Sequence, residues 1–300
     1  RDDVESRGLG DVYKRQARLD AELKEKLQVY KESLSRGEIE KLIADTKHLQ
    51  EYQEEPSSQE DLEKIPMLTR ADISREIAPI YNEEMKIADI PMVFHEIETN
   101  GIGYLDLMFD LSDVPEKDLP MVGLLQAVLG IIDTEHYEYG ELFNEINRHT
   151  GGIGTSLELY PDVTKVKEKE FKATFEIKGK ALYVPFAIRM MKEILTASKL
   201  DDEKRLKEIL SMTKTRLQDR FLSAGHSAAA LRAMSYKSPI SKFKDTTNGI
   251  EYYQNIREME EHFDEKKEEI ISGLKALSEL LFRKGNVMIS YTAVSYTHLT

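Results

Sequence analysis

The chain has 300 residues, of which 40% are hydrophobic and 32% charged, and 55 acidic against 42 basic residues give a formal net charge of −13. Such an acidic chain repels phosphate backbones, which disfavours nucleic-acid binding, and no apolar run reaches the roughly 18 residues that a membrane-spanning helix needs. The absence of cysteine excludes disulfide bonds and thiolate metal sites and fits a reducing compartment.

Both ends of the chain look foreign to the protein. Residues 1–16 carry no amphipathic period, and codons that encode 11–16 and 294–300 are reverse complements over their shared length. Both resemble the transposon-end adapter of sequencing libraries, whereas the alternative is a natural flexible tail at each end. We therefore leave 1–16 and 294–300 out of the fold prediction. The remainder, 17–293, is predicted to be a piece of a longer reading frame without a signal peptide.

The first predicted element is an antiparallel helical hairpin within 17–65. Apolar residues recur at three- and four-residue spacing over 19–34 and again over 39–52, with a break at Arg36-Gly37. The outer faces are heavily charged, which predicts a hairpin that lies on a surface or bridges two bodies. The acidic stretch 54–61 contains Pro and Ser and is typical of a linker.

A mixture of strands and helices is predicted for 66–285, with a last strand beyond it. Strands are predicted near 92–97, 104–111, 153–160, 170–177 and 286–291. Helices are predicted near 115–132, 139–148, 182–197, 200–222 and 227–234, and 250–281 holds one long helix or two shorter ones. Strands, then helices, then a return strand predict an α+β fold with helices on one face of a mostly antiparallel sheet.

No complete catalytic site emerges from the residues alone. Glu260, Glu261 and His262 are adjacent, so they point in different directions from one helix and are typical of a solvated face. The chain has no Gly-x-Ser-x-Gly elbow, and its glycine pairs indicate turns. The six histidines of 17–293 include no pair at the spacing of a helical metal site: His48, His95, His136, His149, His226 and His262.

Several strings resemble one family specifically. They are Leu49–Pro56, Lys64–Arg70, Thr99–Leu105, Tyr139–Leu142 and Asn147–Ile153. They resemble the presequence-protease branch of the pitrilysin/insulinase zinc metallopeptidases, the inverzincins, and the resemblance covers nearly all of 17–293. It implies a large zinc peptidase whose two halves enclose a chamber, each half holding two similar α+β domains, with a helical hairpin between the halves. On that map 17–65 is the hairpin, 66–285 the third domain, and 286–293 the start of the fourth.

The zinc motif of the family, His-x-x-Glu-His, is absent from the chain. The third domain resembles a degenerate copy of the first, and Ala127–Leu129 match the residues that follow the motif. This alignment, supported by Leu159–Asp162, puts Val122, Leu125 and Gln126 where the active copy has His, Glu and His. Because Val and Leu offer no lone pair and Gln is no general base, we expect this copy to bind no metal and to be inactive.

The resemblance implies a non-catalytic central fragment, hinge and chamber wall, of a zinc metalloendopeptidase that degrades unstructured peptides, with zinc only in the parent protein. An alternative is a stand-alone peptide-binding or scaffold protein with an inactive peptidase-like domain. A third hypothesis, an enzyme with its own site inside 17–293, has only isolated histidines and carboxylates behind it. The expected partners are unstructured peptides and the remaining domains of the same chain, and neither nucleic acid nor membrane. The expected compartment is the bacterial cytoplasm, or a mitochondrion or plastid for a eukaryotic source.

Overall fold

A computed structural model describes residues 21–76, 79, 81–162, 164 and 171–294 of the chain. The chain divides into two compact units, Arg1–Ile77 and Ala78–Thr300. The terminal segments that the sequence analysis sets aside lie outside the described residues, apart from Val294, which is 7% exposed.

The first unit holds the two helices that were predicted as a hairpin, α1 at 21–33 and α2 at Arg36–Glu54. Ser35 and Glu38 form a capping box at the start of α2: the Ser35 side chain accepts from the Glu38 N–H, and the Glu38 carboxylate accepts from the Ser35 N–H at 2.8 Å. The box satisfies N–H groups of the first turn. The break between the helices therefore falls at residues 34–35 rather than at Arg36-Gly37.

The predicted linker at 54–61 is partly helical. A short helix, α3 at Gln59–Glu63, begins within it, capped by the Ser58 side chain, which accepts from the Asp61 N–H. Side chains from α3 to residue 76 are exposed, and the boundary between the units falls after Ile77 rather than at the predicted residue 65. The change of sequence pattern at residue 66 therefore precedes the start of the compact α+β unit.

The second unit is built on one six-stranded sheet in the order β1-β2-β6-β3-β5-β4. All neighbouring strands run antiparallel except β2 and β6, which run parallel, and this confirms the predicted α+β class. The strands are β1 at Glu83–Ile87, β2 at Ile90–Glu96, β3 at Gly103–Asp110, β4 at Ile153–Pro161, β5 at Phe171–Ala181 and β6 at Val287–Ala293.

Strand β6 corrects one boundary of the sequence analysis, which assigned 286–293 to the next domain. The strand pairs with β2 on one side and β3 on the other, for example Tyr291 with Phe94 and Leu105. Its backbone hydrogen bonds are thus made inside the sheet that precedes it in sequence, and β6 is an interior strand of the second unit.

Seven helices of the second unit lie within the described residues. They are α4 at Leu119–Val128, α5 at Tyr139–His149, α6 at Val184–Thr196, α7 at Glu203–Ser235, α8 at Pro239–Asn248, α9 at Ile250–Glu261 and α10 at Phe263–Leu281.

Three of these helices differ from the prediction. Helix α4 ends at Val128 rather than near residue 132, because Leu129 is extended and Gly130 has a φ of 86°. Helix α7 joins the two helices predicted at 200–222 and 227–234, and only Ala224, with φ −138° and ψ 42°, interrupts its helical geometry. Helix α8 was not predicted. The segment 250–281 forms two helices.

The core lies on the face of the sheet that the helices cover. Buried side chains of β3 and β5 alternate with polar ones, so Phe109 and Phe175 point to the helices, where the Phe282 ring meets them edge-on at centroid distances of 5.0 and 5.3 Å. In the described part of the chain, no helix is both long enough and apolar enough to cross a membrane.

Candidate functional site

The three positions that the resemblance assigns to the degenerate zinc motif all lie on α4. Val122 and Leu125 are fully buried in the core. Gln126 is partly buried, and its Nε2 donates to the Thr155 carbonyl at 3.3 Å, while Thr155 Oγ1 donates to the Gln126 carbonyl at 3.1 Å. Two of the three side chains thus offer no metal donor, and the third is held by β4, so these residues do not fit a zinc ion.

The histidines are distributed over the fold rather than gathered. His95 Nδ1 lies 2.7 Å from Asn82 Oδ1, and His136 Nδ1 lies 3.0 Å from Glu193 Oε2. His149 and His262 each lie near a glutamate of their own neighbourhood, whereas His48 is on α2 and His226 on α7. No cluster of three or more His, Asp or Glu side chains with metal-binding geometry occurs among the described residues.

The acidic run around His262 does not converge either. Glu260 pairs with Lys214 at 2.7 Å, Glu261 with Arg257 at 3.9 Å, and His262 with Glu265 at 3.7 Å. Each side chain therefore has a separate partner, as the helical spacing predicted.

A groove bounded by α4, β4, α7 and α8 is the most developed concave feature of the second unit. It consists of two adjoining cavities of about 500 and 640 Å³ that share Gln126, Arg220, Thr247 and Asn248. Three cationic residues line it, Arg216, Arg220 and Lys244, and none of its lining residues is Asp or Glu. In a chain with a net charge of −13, a groove of purely basic charge is unexpected.

The two arginines of the groove lie one turn apart on α7. Arg220 is anchored to Asn248: Nη1 donates to Oδ1 at 3.0 Å, and Nη2 donates to the Asn248 carbonyl. Burial, and secondarily the charge of Arg216, lower the pKa of Arg220. Neither arginine forms a salt bridge within the described part of the chain, so two like charges at i and i+4 repel without compensation.

Two hydroxyl groups of the groove are buried without a hydrogen-bond partner among the described residues. One belongs to Tyr252, which is only 2% exposed, and the other to Ser156 on β4. Burial raises the pKa of the Tyr252 phenol, which therefore remains a neutral donor. A buried hydroxyl without a partner costs roughly 1–3 kcal/mol, so both are features that a ligand would relieve.

A second polar cluster occupies the opposite face of the sheet. Glu176 is fully buried, and its Oε1 accepts from the Tyr160 hydroxyl at 2.7 Å and from the Thr174 hydroxyl at 2.6 Å. Burial raises the pKa of Glu176, but hydrogen bonds from Lys178, Thr174 and Tyr160 outweigh this effect and lower it. Burial, and then the charge of Glu176, raise the pKa of Asp106 to about 7. The two carboxyl groups thus divide their roles, Glu176 as the anion and Asp106 as the acid.

The sequence reasoning missed Arg216, Arg220 and Tyr252. The signal that could have found the arginines is the pair of like charges four residues apart, which on a solvated helix face is usually balanced by neighbouring carboxylates. No local pattern marks Tyr252, because its burial depends on the packing of α9 against α4.

Comparison with known proteins identifies relatives over most of the chain. Residues 13–259 match the family described as peptidase-associated, in subfamily C of metallopeptidase family 16. The chain is similar to Protein HypA of Clostridium perfringens, at 36% identity over 274 residues that make up 91% of this chain and 28% of that protein. It is also similar to Presequence protease 1, chloroplastic/mitochondrial, of Arabidopsis thaliana, at 25% identity over 91% of this chain and 25% of that protein.

Both relatives are several times longer than the matched region, so the chain spans about a quarter of their length. Among solved structures, a conserved protein from Enterococcus faecalis V583 has a TM-score of 0.50 at 12% identity, over 72% of this chain and 50% of that one. At this identity the similarity concerns the fold alone. The family match and the presequence proteases together establish that the chain belongs to this peptidase-associated family, in the presequence-protease branch of the pitrilysin-like metallopeptidases.

Proposed function

We propose that the chain is a non-catalytic central part, hinge and chamber wall, of a zinc metalloendopeptidase that degrades unstructured peptides. The observation that carries the proposal is the family match over 13–259, combined with Val122, Leu125 and Gln126 at the positions of the zinc motif. A domain of this family without metal donors has a structural or substrate-holding role, and the metal and the general base come from another domain.

In this proposal, 17–65 connects the two halves of the peptidase and 66–285 forms its third domain. The exposed stretch that follows α3 supports a connection that flexes when the halves open and close, as lid and domain closure does in other enzymes. An enclosed chamber admits an extended peptide and excludes a folded protein. The partners are then unstructured peptides and the other domains of the same polypeptide, in the bacterial cytoplasm or, for a eukaryotic source, in a mitochondrion or plastid.

The first experiment is to sequence the source DNA upstream of codon 17. We expect an uninterrupted frame that contains His-x-x-Glu-His. A native start codon close to Ala17 would instead favour a stand-alone peptide-binding or scaffold protein, and the peptidase proposal would be abandoned.

The uninterrupted frame is then produced and assayed with an unstructured peptide and with a folded protein of similar sequence length. We expect zinc-dependent cleavage of the peptide only, and metal analysis should show that Gln126→Ala leaves the zinc content unchanged. The chain without the upstream domain should retain no stoichiometric zinc after dialysis. Zinc that is lost on Gln126→Ala would contradict the assignment of this domain as metal-free. Full turnover after cross-linking the two halves would contradict the hinge.

A further inference from the structure

The groove between β4 and the helices combines three features that no role within the described fold explains. These features are a basic lining without carboxylates, a free sheet edge, and buried hydroxyls without partners. Each points to a ligand, and together they restrict its chemistry.

The charge of the groove selects an anionic group. Arg216 and Arg220 are separated by one turn of α7, and Arg220 is held in place by Asn248. The planar guanidinium groups match the two oxygens of a carboxylate, and a carboxylate between them would remove their mutual repulsion. A nucleic acid is disfavoured by the net charge of −13 of the chain.

The backbone of the groove selects an extended chain. Strand β4 is the last strand of the sheet and pairs only with β5 among the described strands. The Thr155 carbonyl accepts from Gln126 and so points away from β5. Along a strand, backbone groups alternate between the two edges, so Leu157 and Leu159 also present their N–H and C=O groups to the outside of the sheet. Both leucines line the groove.

The unpartnered hydroxyl of Tyr252 supplies the third feature. Its phenol lies against Gly123 of α4, since a Cβ on Gly123 would come within 2.7 Å of Tyr252 Cε2. The ring is thus fixed by packing, and its hydroxyl is buried at the same cavity that Arg216 and Arg220 line. A fixed donor that lacks an acceptor is a preorganised site for a carbonyl or carboxylate oxygen.

We propose that this groove binds an extended peptide segment as an added strand on the outer edge of β4, with a carboxylate of the segment paired to Arg216 and Arg220. The backbone of the bound segment hydrogen-bonds to Leu157 and Leu159, and the Tyr252 hydroxyl donates to an oxygen of the segment. This is recognition by β-augmentation, in which backbone pairing gives affinity and a pocket gives specificity. The inference rests on the proposed function only in its ligand class, an unstructured peptide.

The test measures binding to the chain by fluorescence anisotropy, without zinc and without hydrolysis. The probe is a labelled peptide of nine residues, the length of β4, with alternating Val and Thr, a central Glu and blocked ends. We expect saturable binding that weakens with added salt. A probe with Gln in place of Glu should bind at least about tenfold more weakly, since a hydrogen bond to a charged group contributes roughly 1.5–3 kcal/mol. A third probe, without the Glu but with a free terminal carboxylate, distinguishes a side-chain carboxylate from a terminal one as the recognised group.

Two protein variants and one further probe locate the binding. Arg216→Gln should weaken binding of the Glu probe at least about tenfold, whereas Arg257→Gln, an exposed arginine on α9 outside the groove, should leave it unchanged. A fully N-methylated probe of the same sequence should not bind, because it has no N–H donors for the edge of β4. This probe leaves the protein unaltered, so its result does not depend on the folding of a variant.

Tyr252→Phe separates a binding role from a packing role. Removal of an unsatisfied buried hydroxyl should leave the unliganded protein as stable as before or more stable, and should weaken binding of the Glu probe. Equal affinity of Arg216→Gln and the parent, or equal binding of the N-methylated probe, would overturn the proposal. If the uninterrupted frame cleaves peptides while this chain fails to bind the probe, the groove proposal fails and the peptidase proposal stands.

Discussion

Gln126 and Thr155 hold each other through two hydrogen bonds of 3.3 and 3.1 Å, one in each direction between side chain and backbone. The pair ties the last turn of α4 to the beginning of β4. At the position where the resemblance expects a zinc ligand, the chain therefore has a clamp between a helix and a strand. The clamp closes one end of the groove and leaves the edge of β4 beyond it open.

The close approach of α4 to α8 and α9 depends on Gly123. A Cβ at this position would lie 2.6 Å from the Thr247 carbonyl and 2.7 Å from Tyr252 Cε2. Since backbone and a packed ring cannot withdraw, we expect Gly123→Ala to lower the free energy of unfolding by about 1–3 kcal/mol in urea denaturation. Gly140→Ala is the matched control, because that helical glycine has nothing within 4 Å of its added Cβ. It should be neutral or stabilising by up to about 1 kcal/mol, and equal losses in both variants would contradict the packing argument.

The pair Asp106 and Glu176 predicts a pH dependence of stability. The pKa of Asp106 is about 7 in the folded chain against 3.8 in the absence of its surroundings. A raised carboxyl pKa contributes stability that is fully present below the unfolded value and is lost as the pH rises through the folded value. Between pH 4 and 7, the folded state keeps a proton that the unfolded state releases. Glu176, Lys178 and Glu158 are the charged groups that set this pKa.

We therefore expect Asp106→Asn to be more stable than the parent at pH 8, by at least about 1 kcal/mol, with the advantage shrinking towards pH 4. Thermal unfolding at pH 4, 6 and 8 measures the difference between the two proteins, so that other titrating groups cancel. Glu116→Gln, at an exposed site of the same unit, should follow the parent at every pH. A constant difference between Asp106→Asn and the parent across this range would refute the assignment.

A buried ion pair joins the end of α7 to α8. The Asp245 side chain is fully buried, with Oδ2 at 2.5 Å from Arg232 Nη1 and Oδ1 accepting from the Ile250 N–H at 2.9 Å. Arg232→Met leaves that carboxylate without its cation, so we expect a loss of about 3 kcal/mol in the free energy of unfolding. Arg283→Met, which breaks a half-exposed pair with Asp113, should cost less than about 1 kcal/mol. Similar losses would mean that burial of Asp245 does not determine the cost.

Local elements were predicted where one signal dominates. Helix α5 was predicted at 139–148 and spans Tyr139–His149, and β4 was predicted at 153–160 and spans Ile153–Pro161. Both have a clear apolar period and a glycine or proline signal nearby. Helix α8 was missed because its interior contains Ser, Asp and Thr, which have a weak helix preference, and its stability comes from packing against α7.

Strand β1 was missed for a different reason. It contains two glutamates and a lysine, and only Met85 is half-buried. Its pairing with β2 depends on a two-residue turn in which Ala88 and Asp89 have positive φ values of 48° and 69°, and Ala is an unusual residue there. The groove was missed because it combines residues from four elements far apart in sequence. No local window contains Arg216, Leu157 and Tyr252 together.

The interior position of β6 has a consequence for how the polypeptide reaches its native state during synthesis. Until residues 287–293 have left the ribosome, β1-β2 and β3-β5-β4 are two separate ribbons, each with an unpaired inner edge. The pairing of Phe94 with Tyr291 is a contact of long sequence separation, and such topologies fold slowly and expose strand edges meanwhile. The second unit therefore completes its folding only after translation of its last strand, and it depends in that interval on protection from aggregation.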